Sequence, residues 1–146
     1  MINQLEKSME ILLVEDNSTD VFLTEEALAS AKIANRLHIV GNGVEALSFL
    51  RKQGAYTNVP RPNIILLDLN LPIKHGSEVL AEIKTDADLR YIPVIVLSTS
   101  SQEFDVFKAY NLSANCYIVK PVNFYKFREV LKAIQGFWFT VVTLPN

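Results

Sequence analysis

Five short segments rich in isoleucine, leucine and valine recur along the chain, and segments with helical spacing separate them. They run over residues 10–16, 36–42, 63–69, 93–100 and 115–121. Four of the five are near-continuous apolar runs rather than alternating ones, which is typical of parallel strands covered on both faces. This alternation predicts an α/β fold in which one parallel sheet carries helices on both faces.

Helical spacing of apolar residues predicts five helices in the segments between and after the strands. They are expected over residues 18–33, 43–54, 77–84, 101–112 and 122–139, giving the order (βα)5. Asn17 or Ser18 is the predicted N-cap of the first helix, and the second is expected to end at Gly54. The chain has 146 residues and no visible repeat or linker, so we expect one domain over 1–146, with 137–146 as a C-terminal aromatic extension.

The composition excludes several classes of function. The formal net charge is −2, with 14 basic and 16 acidic residues, so no basic field favours nucleic acid or an anionic membrane. The single cysteine, Cys116, excludes an internal disulfide and fits a reducing compartment. No apolar run approaches the roughly 18 residues of a membrane helix, and the first ten residues lack the apolar core of a signal peptide. We therefore expect a cytoplasmic protein with neither a membrane nor a nucleic-acid partner.

Polar residues occupy the carboxyl ends of four predicted strands. In chain order they are Glu15 and Asp16, Asp68, Ser98 and Thr99, and Lys120 and Pro121. In an open parallel sheet these ends meet at one edge, where ligands bind. A single aspartate at a strand end is usually a cap or turn residue. The agreement of four strand ends is much more specific and predicts a functional site.

The chemistry of this set points to phosphoryl transfer. Three neighbouring carboxylates raise one another's pKa unless a cation lies among them, and hard oxygen ligands suit Mg²⁺ (or Mn²⁺). With the charge neutralised, one carboxylate can act as a nucleophile toward phosphorus. Phosphoryl transfer then needs mainly positioning and charge stabilisation. Lys120 would supply positive charge, and Ser98 would hydrogen-bond the phosphoryl oxygens.

Four stretches resemble the receiver domain of two-component response regulators. They are LLVEDN (12–17), LLDLNLP (66–72) followed by Gly76, VIVLSTS (94–100) and YIVKPV (117–122). The resemblance covers almost the whole chain. It implies a doubly wound, flavodoxin- or CheY-like five-stranded sheet with strand order 2-1-3-4-5.

The resemblance also implies the role of each acidic residue. Asp68 matches the phosphoacceptor, and Asp16 and Asp68 match the metal-binding carboxylates. Glu15 stands where an aspartate is commoner and would act on the metal through water. Asn70 would contribute its backbone carbonyl to the same metal.

The remaining site residues would bind the phosphoryl group and respond to it. Ser98 matches the switch hydroxyl and Lys120 the lysine that pairs with the phosphoryl group. Tyr117 matches an aromatic residue that changes rotamer on activation, and Pro121 is expected to follow a cis bond. Thr99 departs from the usual alanine or glycine, and its bulk is expected to hinder water and slow self-dephosphorylation.

Residues 60–100 are similar to the single-domain response regulators of cyanobacterial phytochromes. This resemblance implies a light-regulated sensor histidine kinase as partner and a tendency to homodimerise. The expected dimer surface comprises Val106, Tyr110, Val122, Val130, Phe137, Trp138 and Phe139. The alternative for the three aromatic residues is that their rings fold back on the monomer's own core.

Two other functions remain open alongside the phosphorylation-switched signalling module. One is a receiver fold that has lost phosphorylation and acts as a constitutive binding module, against which the intact Asp16, Asp68, Ser98 and Lys120 argue. The other is a phosphatase that uses an aspartyl-phosphate. Such enzymes need a second acid two residues after the nucleophile, where this chain has Asn70. We therefore expect no enzyme, but a phosphoacceptor that catalyses only its own phosphorylation and dephosphorylation.

Overall fold

A single parallel sheet forms the centre of the molecule. The computed structural model describes residues 8–32, 34–99, 108, 110–120 and 124–140, and within the last range the side chains of 125–133. The strands in this part of the chain are β1 (Met9–Val14), β2 (Asn35–Val40), β3 (Ile64–Asp68), β4 (Val94–Ser98) and β5 (Cys116–Val119). Their order is β2-β1-β3-β4-β5, and every neighbouring pair is parallel. The predicted doubly wound fold is confirmed.

Four helices pack on this sheet in the described part of the chain. They are α1 (Ser18–Ala31), α2 (Gly43–Leu50), α3 (Gly76–Thr85) and α4 (Phe124–Thr140), and a short 3-10 turn covers Gly54–Tyr56. None of the helices so described is long and apolar enough to cross a membrane. Most of the helix predicted over 101–112 lies outside the described residues. Within it, Lys108, Tyr110 and Asn111 have helical backbone.

The second helix ends earlier than its sequence suggests. It was expected to continue to Gly54, but α2 stops at Leu50. Lys52 adopts a left-handed conformation with φ of 54°, and the Gln53 N–H donates to the Ser48 carbonyl at 2.9 Å. This is a Schellman-type ending, in which a left-handed residue just beyond the helix reverses the chain. Here a lysine holds the position that glycine usually takes, so the helix end was placed four residues too late.

Strand residues alternate between two apolar layers, one on each face of the sheet. Leu12, Val14, Ile65, Leu67, Val94 and Val96 face the layer that contains α2 and α3. Met9, Ile11, Leu13, Ile64, Leu66, Ile95 and Leu97 face the layer that contains α1 and α4. Both layers are closed to water, which explains why the strands read as continuous apolar runs. The central strands are therefore held by packing on both faces, and this packing also fixes the residues at their carboxyl ends.

Candidate functional site

Three carboxylates meet where β1 and β3 end. Val14 pairs with Leu67, so the residues that follow, Glu15 and Asp68, lie side by side. Both are buried, with 2% and 5% of their surface exposed, while Asp16 is exposed. One carboxylate oxygen from each of the three lies within 4.8 Å of the others. The structure thus brings together the acidic residues that the sequence predicted.

This donor set fits a small divalent cation. All three groups offer hard oxygen atoms, and the exposed Asp16 leaves one side of the cluster open to water. Mg²⁺ favours such sites, because it binds a few carboxylates and keeps several waters. Two of the three carboxylates are buried, where mutual repulsion is poorly screened, so a bound cation would relieve a real electrostatic cost.

The ammonium group of Lys120 lies among these carboxylates. Its side chain is only 8% exposed, and its Nζ lies 2.6 Å from Glu15 Oε1, 2.8 Å from Asp20 Oδ2 and 3.5 Å from Asp68 Oδ2. The Lys120 backbone N–H donates to the Ser98 carbonyl at 2.7 Å, which fixes the residue at the end of the β4–β5 pair. An ammonium group has three N–H donors, and here three carboxylates surround it.

Burial and charge shift the pKa of two groups in the site. Burial, reinforced by Asp68, raises the pKa of Glu15 from 4.5 to about 7, although Lys120 opposes the shift. Burial alone would lower the pKa of Lys120. Hydrogen bonds to Asp20 and Glu15, together with the charge of Asp68, outweigh burial and raise it. Lys120 is therefore fully charged at neutral pH, whereas metal-free Glu15 is partly protonated there.

Asp20 is a member of the site that the sequence reasoning missed. It lies in the first turn of α1, where an acidic residue reads as ordinary helix capping. Its carboxylate instead pairs with Lys120, which directly follows β5 and lies 100 residues further along the chain. One signal was available, since Asp20 lies in the first turn of the helix that follows β1 and so at the same edge of the sheet.

The loop after β3 fixes the position of Asp68 through hydrogen bonds and close backbone packing. The Asn70 N–H donates to Asp68 Oδ1 at 3.2 Å, and the Gly76 N–H donates to the Leu69 carbonyl at 2.9 Å. A Cβ at Gly76 would lie 2.6 Å from the Leu69 Cα and closer still to the Asp68 carbonyl oxygen. Glycine is required here because the first residue of α3 packs directly on the end of β3. The predicted use of the Asn70 carbonyl as a metal ligand stays a prediction.

The predicted switch residues lie on β4 and β5. Ser98 is the last residue of β4 and is 1% exposed, whereas Thr99 is exposed. Tyr117, in β5, is half-buried against the apolar layer that contains α2 and α3. Pro121 lies outside the described residues, so its cis bond stays a prediction.

The expected dimer surface is only partly described. Tyr110 is 49% exposed, and Val130 is half-buried against the layer that contains α1 and α4. Val106 and Val122, and the side chains of Phe137, Trp138 and Phe139, lie outside the described residues. The backbone of residues 137–139 is helical, because α4 continues to Thr140.

The fold, the carboxylate cluster and the lysine together define a class of signalling protein. The chain belongs to the response regulator receiver domain family, whose sequence profile matches residues 11–132. It is 50% identical over 135 residues to the response regulator Rcp1 of Synechocystis sp., a match that covers 92% of each chain.

Two solved structures support the same relationship. The phosphorylated cyanobacterial phytochrome response regulator RcpA is 48% identical, with a TM-score of 0.80 over 96% of this chain and 100% of that one. The Mn²⁺-bound form of Rcp1 is 49% identical, with a TM-score of 0.79 over 94% of this chain and 99% of that one. The chain is thus a receiver-domain response regulator related to Rcp1 and RcpA.

Proposed function

We propose that this protein is a phosphorylation-switched response regulator that accepts a phosphoryl group on Asp68 from a sensor histidine kinase. The observation that carries the proposal is the position of Asp68. Its carboxylate is buried at the end of a central strand, belongs to a three-carboxylate cluster and lies 3.5 Å from the Lys120 ammonium. A nucleophilic carboxylate with a fixed cation beside it has the elements that phosphoryl transfer requires.

In the proposed reaction, an Asp68 carboxylate oxygen attacks the phosphorus of a phosphohistidine. A P–O bond forms as the P–N bond breaks, and the imidazole nitrogen takes the electron pair of that bond. The Asn70 N–H on Oδ1 holds the carboxylate in orientation during the attack. The Lys120 ammonium neutralises charge on the phosphoryl oxygens.

Glu15, Asp16 and Asp68 would hold Mg²⁺ (or Mn²⁺) in this reaction, with Asn70 adding its carbonyl. The bound cation supplies a positive charge that offsets repulsion between the acidic cluster and the incoming phosphoryl group. Support comes from the oxygen donor set on this chain and from the related Rcp1, whose solved structure is a Mn²⁺-bound form.

The signal would leave through protein–protein contacts. A phosphoryl group adds up to about two negative charges and three strong acceptor oxygens at one point. Ser98, at the end of β4, would move to hydrogen-bond one of these oxygens, and Tyr117, on the neighbouring β5, would change rotamer in response. This would reshape the surface near β5 and α4, where the protein is proposed to bind a second copy of itself.

The upstream kinase is proposed to be a phytochrome in the cytoplasm. This rests on the 50% identity to Rcp1 and on the similarity to RcpA, which is a cyanobacterial phytochrome response regulator. The test is phosphotransfer from a radiolabelled, autophosphorylated cyanobacterial phytochrome to the full chain in Mg²⁺. We expect label to move to the wild type within minutes and not to Asp68→Asn. Transfer from an unrelated histidine kinase at the same rate would contradict the proposed partner.

A further inference from the structure

We infer that Asp20 is a positioning residue that holds the Lys120 ammonium in place for phosphoryl transfer to Asp68. The inference rests on the function proposed above and extends it to a residue outside the metal-binding cluster. Lys120 is buried, so its charge needs counter-ions that stay with it through the reaction.

The geometry divides the three N–H donors of Lys120 among its partners. Glu15 at 2.6 Å and Asp20 at 2.8 Å are within hydrogen-bond distance, whereas Asp68 at 3.5 Å is not fully engaged. Two donors are therefore anchored, and the third is left for Asp68. A phosphoryl oxygen attached to Asp68 would shorten that remaining gap without a large movement of the lysine.

The chemistry of the three partners singles out Asp20. Glu15 and Asp68 belong to the carboxylate cluster that fits a divalent cation, and Asp20 does not. A divalent cation in that cluster would use carboxylate oxygens of Glu15 and Asp68 as ligands, in competition with Lys120. Among the described carboxylates that pair with Lys120, Asp20 is the one outside that donor set, so it would stay paired with Lys120 when the cluster holds a cation.

The Asp20 carboxylate is not used to cap the backbone of α1. Asn17 caps the helix, and its side chain accepts the Asp20 N–H at 3.0 Å. An acidic side chain at the third residue of a helix often accepts a hydrogen bond from the backbone N–H of the N-cap residue. Here the Asn17 N–H donates to Glu15 Oε2 at 3.4 Å instead, and the Asp20 carboxylate turns to Lys120.

The variants Asp20→Ala and Asp20→Asn separate positioning from helix stability. Both remove the same negative charge from the first turn of α1, so both lose the same interaction with the helix dipole. Only asparagine keeps an oxygen that can accept a hydrogen bond from Lys120. Glu25→Ala, at an exposed acid of the same helix, is the control for a general loss of surface charge.

The first measurement is the rate of phosphorylation of the full chain by acetyl phosphate at saturating Mg²⁺. We expect Asp20→Ala to be phosphorylated about 10- to 100-fold more slowly than the wild type, because a displaced Lys120 ammonium no longer meets the phosphoryl oxygens. Asp20→Asn should recover most of the rate, and Glu25→Ala should match the wild type. If the wild type is phosphorylated and Asp20→Ala is phosphorylated at the same rate, the inference is overturned and the proposed function stands.

A second measurement does not depend on phosphorylation. In ¹H–¹⁵N spectra of lysine ammonium groups with Mg²⁺ present, an immobilised Lys120 should give a slowly exchanging signal that Lys120→Met abolishes. We expect the signal to disappear in Asp20→Ala and to remain in Asp20→Asn and Glu25→Ala. Its persistence in Asp20→Ala would overturn the inference, even if the wild type takes no phosphoryl group.

Discussion

The backbone of Gly76 packs against the carbonyl of Asp68 so closely that no side chain fits between them. A Cβ built on Gly76 would approach the Asp68 carbonyl oxygen more closely than real Cβ atoms do, and would lie 3.1 Å from the Asp68 carbonyl carbon. Asp68, the proposed phosphoacceptor, is therefore held between β3 and the first turn of α3.

Gly76→Ala should therefore destabilise the protein. Neither backbone segment can yield easily, and such overpacking costs about 1–3 kcal/mol. The free energy of unfolding from urea denaturation measures this effect. Gly41→Ala is the matched control, because a Cβ at Gly41 meets no heavy atom within 4 Å. Equal stability of the two variants would show that the contact at Gly76 is relieved without cost.

Thr99→Ala should shorten the lifetime of the phosphorylated protein several-fold. Thr99 is exposed and directly follows Ser98, and its bulk is predicted to hinder the water that would attack the phosphoryl group. The decay of the phosphorylated form, followed after removal of the phosphodonor, measures the effect. Thr99→Val keeps the bulk and removes the hydroxyl, so it should decay as slowly as the wild type. An unchanged decay rate in Thr99→Ala would rule out a steric role for this residue.

The stability of the metal-free protein should depend on the ionisation of Glu15. Burial raises the pKa of Glu15 from 4.5 to about 7. The folded protein then keeps a proton that the unfolded chain has lost, so this contribution to stability is complete below about pH 4.5, decreases up to about pH 7 and is constant above that.

Glu15→Gln removes this titration and provides the comparison. In EDTA, the Tm of the wild type minus that of Glu15→Gln should fall by a few degrees between about pH 5 and about pH 8, since about 1 kcal/mol corresponds to 2–4 °C in a chain of this size. Thermal unfolding followed by circular dichroism supplies both values. A difference that does not change with pH would mean that Glu15 is already ionised at pH 5.

The polar residues at the strand ends could be predicted from the sequence. The side chains of other elements that pair with them could not. Continuous apolar runs fixed the strands, and the topology of a parallel sheet then brought Glu15, Asp16 and Asp68 to one edge. The pairing of Asp20 with Lys120 depends on the directions in which these two side chains turn. No local pattern encodes that choice.

Local patterns also failed where a residue adopted an uncommon role. Lys52 takes the left-handed position at the end of α2, a place where glycine is the usual signal. Phe22 has a large apolar ring and lies in α1, but it is 57% exposed. The buried face of that helix is formed by smaller residues, Thr24, Ala27, Leu28 and Ala31. Hydrophobicity alone could not show which apolar residues of α1 face the sheet.

The central claim is that Asp68 accepts the phosphoryl group, and intact-mass spectrometry of the full chain tests it most directly. The protein is incubated with acetyl phosphate and Mg²⁺, beside Asp68→Asn and a wild-type sample in EDTA. We predict one added phosphoryl group on the wild type, and none on the variant or in EDTA. An unmodified wild type, or an adduct that persists in Asp68→Asn, would contradict the assignment of Asp68 as phosphoacceptor.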